Sequence, residues 1–272
     1  AYERELVAAR RRAEEAEGRA RQLAATLQAT FLPPTALVVP GLDVAGVYRA
    51  AGDGSEIGGD FYDVFPTGRG THAVVLGDVS GKGVPAAVVT ALARHVIRGE
   101  AIHESSPAKV LGVLHEAMRQ AHPDRFCTAL LLEISASAGG VVVKVASAGH
   151  HLPIRTDGRR TDRIGSTGTI LGMLDQIWIE DSTVALGPDD VLVLYTDGVT
   201  EARDDEGRFF GEERVVALAG ARAGASAAAL AGMVADEAVA FQHGSPRDDI
   251  AVVVLRRRSD DGRLVALPVG VP

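Results

Sequence analysis

Four short segments place an aspartate where it could do chemistry. They are Gly58-Gly59-Asp60-Phe61-Tyr62-Asp63, Gly77-Asp78-Val79-Ser80-Gly81-Lys82-Gly83, Leu194-Tyr195-Thr196-Asp197-Gly198-Val199-Thr200-Glu201 and Arg247-Asp248-Asp249-Ile250. The last of these opens the apolar run Ala251 to Leu255. Asp60, Asp78, Asp197 and Asp248 each lie beside a glycine or at the edge of an apolar stretch, where a strand meets a loop. Glycine permits tight turns and close backbone approach, so a carboxylate there can project into a shared crevice. Carboxylates gathered at strand ends repel one another unless a cation sits between them. A donor set of oxygens, without cysteine or clustered histidine, selects hard ions such as Mg2+ or Mn2+ over zinc.

Each segment alone is an ordinary turn motif, and three familiar sites fail on spacing. A phosphate-binding P-loop needs four residues between its first glycine and its Gly-Lys; only three separate Gly77 from Gly81-Lys82, and Gly83 stands where a Ser or Thr belongs. A phosphatase with an aspartyl nucleophile needs a second Asp two positions before the pair, where Tyr195 stands. A calcium loop starting at Asp197 meets Val199 and Glu201 at ligand positions and has no glycine at 202. The remaining acids, such as Glu14, Glu15, Glu17, Asp204, Asp205, Glu206, Asp260 and Asp261, fall in charged stretches and read as a solvated surface.

Composition narrows the classes. The 36 acidic residues outnumber 28 basic ones for a formal charge of −8, which disfavours a nucleic-acid partner. A single cysteine, Cys127, excludes an internal disulfide and a cysteine-based zinc cage, and its place in an apolar strand argues against a cysteine nucleophile. No apolar run approaches the roughly 18 residues of a membrane span, and the charged start is no signal peptide. The first residue is Ala rather than Met, as in an excised fragment. A soluble, cytoplasmic globular protein without a membrane partner is expected.

Two regions must position these residues. Over 1–30, Tyr2, Leu6, Ala9, Ala13, Ala16, Ala20, Leu23, Leu27 and Thr30 recur four and three apart, a heptad seam. The pairs Glu15–Arg19 and Glu17–Arg21 support one helix, which Pro33-Pro34 ends. From about residue 36, short Val/Ala/Leu runs broken by glycine predict strands at 42–49, 71–78, 126–134, 141–148, 177–185, 190–196 and 249–257. Helical patterns fall near 84–98, 106–121, 212–219 and 226–242, with Ser106 as a cap and Pro107 in the first turn. Strands come in runs, which favours a layered α+β domain with largely antiparallel sheets over a doubly wound one. The expected divisions are a helical coiled-coil linker at 1–32, one domain at 36–257 and a tail at 258–272.

In order, the four segments resemble the PPM-type, metal-dependent Ser/Thr protein phosphatases, and most closely their bacterial SpoIIE-type branch. Ser147-Ala148-Gly149-His150, Leu171-Gly172-Met173, Phe209-Phe210-Gly211 and the approach from Gln28 to Pro33 add to the likeness, which covers about residues 28–257. The resemblance implies a four-layer α-β-β-α sandwich of two mainly antiparallel sheets, preceded here by the coiled-coil helix. It implies two Mn2+ or Mg2+ ions: Asp78 bridging both, the Val79 carbonyl on one, Asp197 and Asp248 on the other, and Asp60 completing the site directly or through water. Asp249 is either a further ligand or a support for the ligands. Asp78 and Asp60 are then the catalytic pair, around in-line attack of a metal-bridging hydroxide on phosphoserine or phosphothreonine.

The chain departs from eukaryotic relatives at three places. Ser80 replaces a histidine that is a candidate general acid, leaving protonation of the leaving oxygen to water. No arginine precedes the first acidic motif, so Arg49 and Lys82 are the substitutes for phosphate binding. Gly149-His150 replaces a Gly-Asp pair linked to a third metal, and His150 with His151 is expected to shape a strand-end turn instead. The resemblance further implies a phosphorylated STAS-type, anti-anti-sigma protein as substrate. An upstream sensor commonly reaches such domains through a helical linker, so a homodimer through the N-terminal helix is expected. The competing reading is a catalytically silent regulatory module of the same fold. Scarcity of Lys and abundance of Ala fit a bacterial, GC-rich source.

Overall fold

The apolar runs form two stacked sheets in the computed structural model, which describes residues 38–52, 57–137, 140–244 and 246–258, with Arg10, Arg11, Gly18, Arg19, Thr26 and Thr30 as isolated positions. Apart from those six residues, the expected coiled-coil helix lies outside the described residues, as does the tail beyond 258. One sheet has the order β1 (Leu42–Arg49), β11 (Ile250–Arg257), β10 (Val191–Tyr195), β6 (Ile154–Thr156), β7 (Thr161–Arg163). The other runs β2 (Asp60–Pro66), β3 (Thr71–Val79), β4 (Cys127–Ser137), β5 (Gly140–Ala148), β8 (Thr167–Gly168), with β9 (Ser182–Leu186) also on β5. Every named pair is antiparallel except β5 with β8.

The unbroken apolar runs follow from burial on both faces. On β11, Ala251, Val253 and Leu255 face the other sheet, while Val252 and Val254 face outward into a second core. Strand β3 divides likewise, with Val74 and Leu76 between the sheets and Ala73 and Val75 on the outer side. Strand side chains alternate between faces, so a strand covered on both sides must be apolar throughout.

Helices provide that cover. Helix α1 (Val84–Glu100) and helix α2 (Pro107–Ala121) lay Ala86, Val89, Ile97, Leu111, Leu114 and Met118 on the sheet of β2 to β5. The four-residue α3 (Asp197–Thr200), α4 (Glu212–Ala221) and α5 (Ala227–Phe241) lie on the sheet of β10 and β11, where Val215, Leu230 and Val234 are fully buried. The result is the expected four-layer α-β-β-α sandwich. Ser106 caps α2 by accepting from the Lys109 N–H at 3.2 Å, with Pro107 in the first turn as read from sequence. Among the described residues, no helix is long and apolar enough to cross a membrane.

The structure differs from the expected strands at β2, at the short β6, β7 and β8, and at 177–185. Strand β2 was not read as a strand, because Asp60, Asp63 and Pro66 interrupt its aromatic residues. The strand expected at 177–185 begins only at Ser182. Before it, Trp178 exchanges hydrogen bonds with Thr169 (2.9 and 3.0 Å), so this stretch pairs with the loop after β8 rather than with β5.

A buried acid fastens α1 to β2. Asp63 is 1% exposed and accepts from Arg98 Nε at 2.7 Å and Nη2 at 2.9 Å, and from Arg94 Nη2 at 2.9 Å. Arg94 also donates to the Thr30 carbonyl at 2.5 Å, and Arg98 stacks over Phe65 at 4.6 Å. Removing one partner of such a cluster leaves the others uncompensated, at a cost of about 3 kcal/mol. Asp63→Ala is therefore expected to lower the urea midpoint by that loss divided by the m-value. A midpoint at the wild-type value would show that the cluster holds nothing.

Candidate metal centre

Antiparallel register gathers the aspartates at one rim of the sandwich. Asp60 opens β2 directly opposite Asp78, next to last on β3. In the other sheet β10 pairs with β11 through Tyr195 and Val252, so Asp197 just past β10 and Asp248 just before β11 reach the same rim. Asp60, Asp78 and Asp197 each offer a carboxylate oxygen within 4.8 Å of the others. Asp60 is 5% exposed and Asp249 3%. Asp248 is the open member, its side chain 59% exposed, with Lys82 Nζ at 3.3 Å.

Close approach at this rim depends on glycine. A Cβ on Gly59 would lie 2.1 Å from the Val79 carbonyl oxygen and 2.7 Å from Asp78 Oδ1. One on Gly58 would lie 1.3 Å from Asp249 Oδ2. The Val79 carbonyl thus stands on the same side of Gly59 as the Asp78 carboxylate. A residue to which the sequence reading gave no role joins the two sheets: Thr196 donates to Asp60 Oδ2 at 2.6 Å and accepts from the Ala251 N–H at 3.0 Å. Its only signal was its place next to Asp197 at a strand end.

Burial and mutual repulsion set the electrostatics. Asp78 is pushed up to about 7, first by burial and then by Asp197, Asp248 and Asp249, with Lys82 opposing. Asp60 is raised well above the carboxylate range by burial and by Asp78, against the Thr196 hydrogen bond. Asp197 is raised by burial, Asp248 and Glu201. Burial also raises Asp249, although the Ala51 N–H donates to its Oδ1 at 2.8 Å. Asp249 Oδ2 has no hydrogen-bond partner among the described residues although buried.

These features fit hard divalent cations. The donors are carboxylate and carbonyl oxygens, and their charges cannot coexist at neutral pH without a counter-charge. The residues able to hold such ions are Asp60, Asp78, the Val79 carbonyl, Asp197 and Asp248, with Asp249 behind them.

The other expected residues separate. Lys82 lies at the cluster, between Asp248 and the Arg247 carbonyl at 3.4 Å. Arg49 is engaged elsewhere, 3.1 Å from Asp236 of α5 and 3.3 Å from the Tyr48 carbonyl. Ser80 Oγ accepts from the Phe126 N–H at 3.1 Å. His150 and His151 form a strand-end turn, where Gly149 takes φ +67° and Ser147 donates to the His150 carbonyl at 2.7 Å. Burial holds His150 down to about 3, so its ring is neutral, with Nδ1 2.8 Å from Thr128 Oγ1. Cys127 is fully buried and its thiol pushed up by burial and Asp78, which leaves no thiolate for chemistry.

A pocket of about 390 Å³ adjoins the cluster, lined by Thr128, His150, His151, Arg163, Asp197 and Glu212 among others. Its far wall is a network: Arg163 grips Glu212 at 2.9 and 2.6 Å, Tyr195 donates to Glu212 at 2.7 Å, and His151 stacks on Tyr195 at 5.2 Å.

Known proteins resemble this chain in sequence and fold. The family model SpoIIE, described as Stage II sporulation protein E, matches residues 68–258. Protein IcfG of Synechocystis sp. is 28% identical over 262 residues, 85% of this chain and 40% of IcfG. The chain therefore spans well under half of that relative. Phosphoserine phosphatase RsbU of Bacillus subtilis is 25% identical over 240 residues, 87% of this chain and 70% of RsbU. In fold, the SiaA-PP2C domain of Pseudomonas aeruginosa superposes with a TM-score of 0.72 at 22% identity, covering 92% of this chain and 98% of that domain.

The raised carboxylates carry a linkage. A folded-state value for Asp78 of about 7, above its value in the unfolded chain, means that ionisation opposes folding. Stability from this group is complete below about pH 4 and is lost as pH rises towards 7 and beyond. Without divalent ions, Asp78→Asn is expected to raise Tm at pH 7.5 by at least about 3 °C. The same substitution should shrink the Tm gain that Mn2+ gives the wild type. A variant that melts lower without metal, or gains as much from Mn2+, would sink this account.

Proposed function

Because the chain belongs to the SpoIIE family, we propose that it is a metal-dependent protein serine/threonine phosphatase, hydrolysing phosphoserine or phosphothreonine on a small regulatory protein of the STAS, anti-anti-sigma type. The observation that carries this reading is the convergence of Asp60, Asp78 and Asp197 oxygens within 4.8 Å at a sandwich rim, with Asp248 beside them. RsbU of Bacillus subtilis is a phosphoserine phosphatase, which supports the reaction class.

Asp60, Asp78, the Val79 carbonyl, Asp197 and Asp248 would hold two Mn2+ or Mg2+ ions, and Asp249 supports the set from behind. Bound there, the ions lower the pKa of an attacking water and offset charge on the phosphoryl group. The rest is the work of the chain. Thr196 holds the Asp60 carboxylate in one orientation through its 2.6 Å bond. Lys82, already 3.3 Å from Asp248, turns its ammonium to a phosphoryl oxygen. Water attacks phosphorus in line, giving up a proton to solvent, as the P–O bond to the serine oxygen breaks and the leaving oxygen takes a proton from solvent water. A homodimer through residues 1–32, receiving a signal from an upstream sensor, is the regulatory part of this proposal.

Two measurements test it. Phosphate release from a phosphorylated STAS protein should require Mn2+ or Mg2+ and fall at least about a hundredfold in Asp78→Asn. Absence of metal-dependent release in the wild type would leave a binding module of the same fold. Deleting residues 1–32 should convert a dimer to a monomer by light scattering; an unchanged mass would remove the linker from the proposal.

A further inference from the structure

A second pocket, of about 280 Å³, adjoins the carboxylate cluster at Asp248, lined by Gly198, Glu201, Arg203, Gln242, Arg247 and Asp248. Glu201 also lines the 390 Å³ pocket, so the two share one wall beside Asp197 and Gly198. A polypeptide with its phosphorylated residue at the cluster would bring neighbouring residues to this second pocket, which Asp248 also lines.

The second pocket differs in charge from the first. Around the cluster, Arg163 is held by Glu212 at 2.6 Å and Arg49 by Asp236 at 3.1 Å, and Lys82, 3.3 Å from Asp248, is assigned to the phosphoryl group. Arg125 donates to the Ser80 carbonyl at 2.7 Å. Arg203 and Arg247 have no acidic partner among the described residues. Both are exposed, yet their backbones are fixed. Arg247 donates its N–H to Gln242 Oε1 at 3.1 Å and accepts from Lys82 on its carbonyl. Arg203 bridges to Phe209 through the backbone and lays its guanidinium over that ring at 4.3 Å. Held main chain with uncommitted guanidinium groups is an arrangement for gripping an oxyanion, since the planar fork matches carboxylate and phosphate.

We infer that Arg203 and Arg247 form an oxyanion subsite of the substrate groove, which grips a carboxylate side chain flanking the phosphorylated residue or the phosphoryl group itself. The inference rests on the phosphatase reading. It adds the residues that select the substrate, which the metal-facing carboxylates cannot do.

The test compares the wild type with Arg203→Gln/Arg247→Gln on three probes. Two are ten-residue phosphoserine peptides, with Asp on both sides of the phosphoserine or with Asn there; the third is p-nitrophenyl phosphate. The wild type is expected to favour the Asp peptide about tenfold in kcat/KM, and the double variant to bring that ratio close to one. That result assigns the oxyanion to the flanking carboxylate. A wild-type ratio near one, with all three probes losing about equally in the variant, assigns it to the phosphoryl group. Wild-type rates on every probe in the variant overturn the subsite. Peptide affinity, read in parallel by fluorescence anisotropy, separates this question from the reaction. A wild type that turns nothing over, yet binds the Asp peptide several-fold tighter than the variant, keeps the subsite and overturns the phosphatase reading. Equal affinities with no turnover overturn both.

Discussion

Like charges forced together at a buried rim are the constraint from which the rest of this structure follows. Four aspartates from two sheets would separate if the backbone allowed it. It does not, because Asp60 and Asp78 are fixed within a ladder, and Asp197 and Asp248 flank the ends of paired strands β10 and β11. Asp60 stands opposite Asp78 because seven consecutive pairs join β2 to β3. A one-residue slip would carry Val74 and Leu76 out of the inter-sheet core, so packing of ordinary hydrophobic residues enforces proximity of charged ones. Thr196 extends this across the sandwich, satisfying Asp60 with its hydroxyl while its oxygen accepts from β11.

The surroundings of the cluster divide the remaining polar groups by task. On one side His150 is locked neutral, His151 is stacked, and Arg163 is spent on Glu212, while Asp197 and Glu201 line the same wall. On the other, Arg203 and Arg247 keep their charge uncommitted.

The clustered aspartates were legible in the sequence because their signal is local: a glycine or second acid beside each, at the end of an apolar run. The strands of the core were legible for a related reason, since burial on both faces leaves runs such as Ile250 to Leu255 without a polar break. What escaped depends on distance or on mixed composition. Thr196 meets Asp60 across 136 residues of sequence, and Arg163 meets Glu212 across 49, separations that no local pattern records. Strand β2 escaped because Asp60 and Asp63, the two acids it must deliver, are what spoil its strand pattern. Arg49 looked free to meet phosphate only because Asp236 of α5 could not be foreseen beside it.

One feature of the ladder bears on how such a domain can be wired into larger assemblies. The first and last strands are neighbours, with Leu42 opposite Arg257 at one end and Arg49 opposite Ile250 at the other. The carboxylates occupy the Ile250 end. The places where the chain enters β1 and leaves β11 therefore sit side by side, roughly 25 Å of strand away from the chemistry. A domain with adjacent terminals behaves like a plug with both wires on one side. It can be spliced into a loop of another protein, or have its flanking modules exchanged, without any added segment passing the mouth of the cleft.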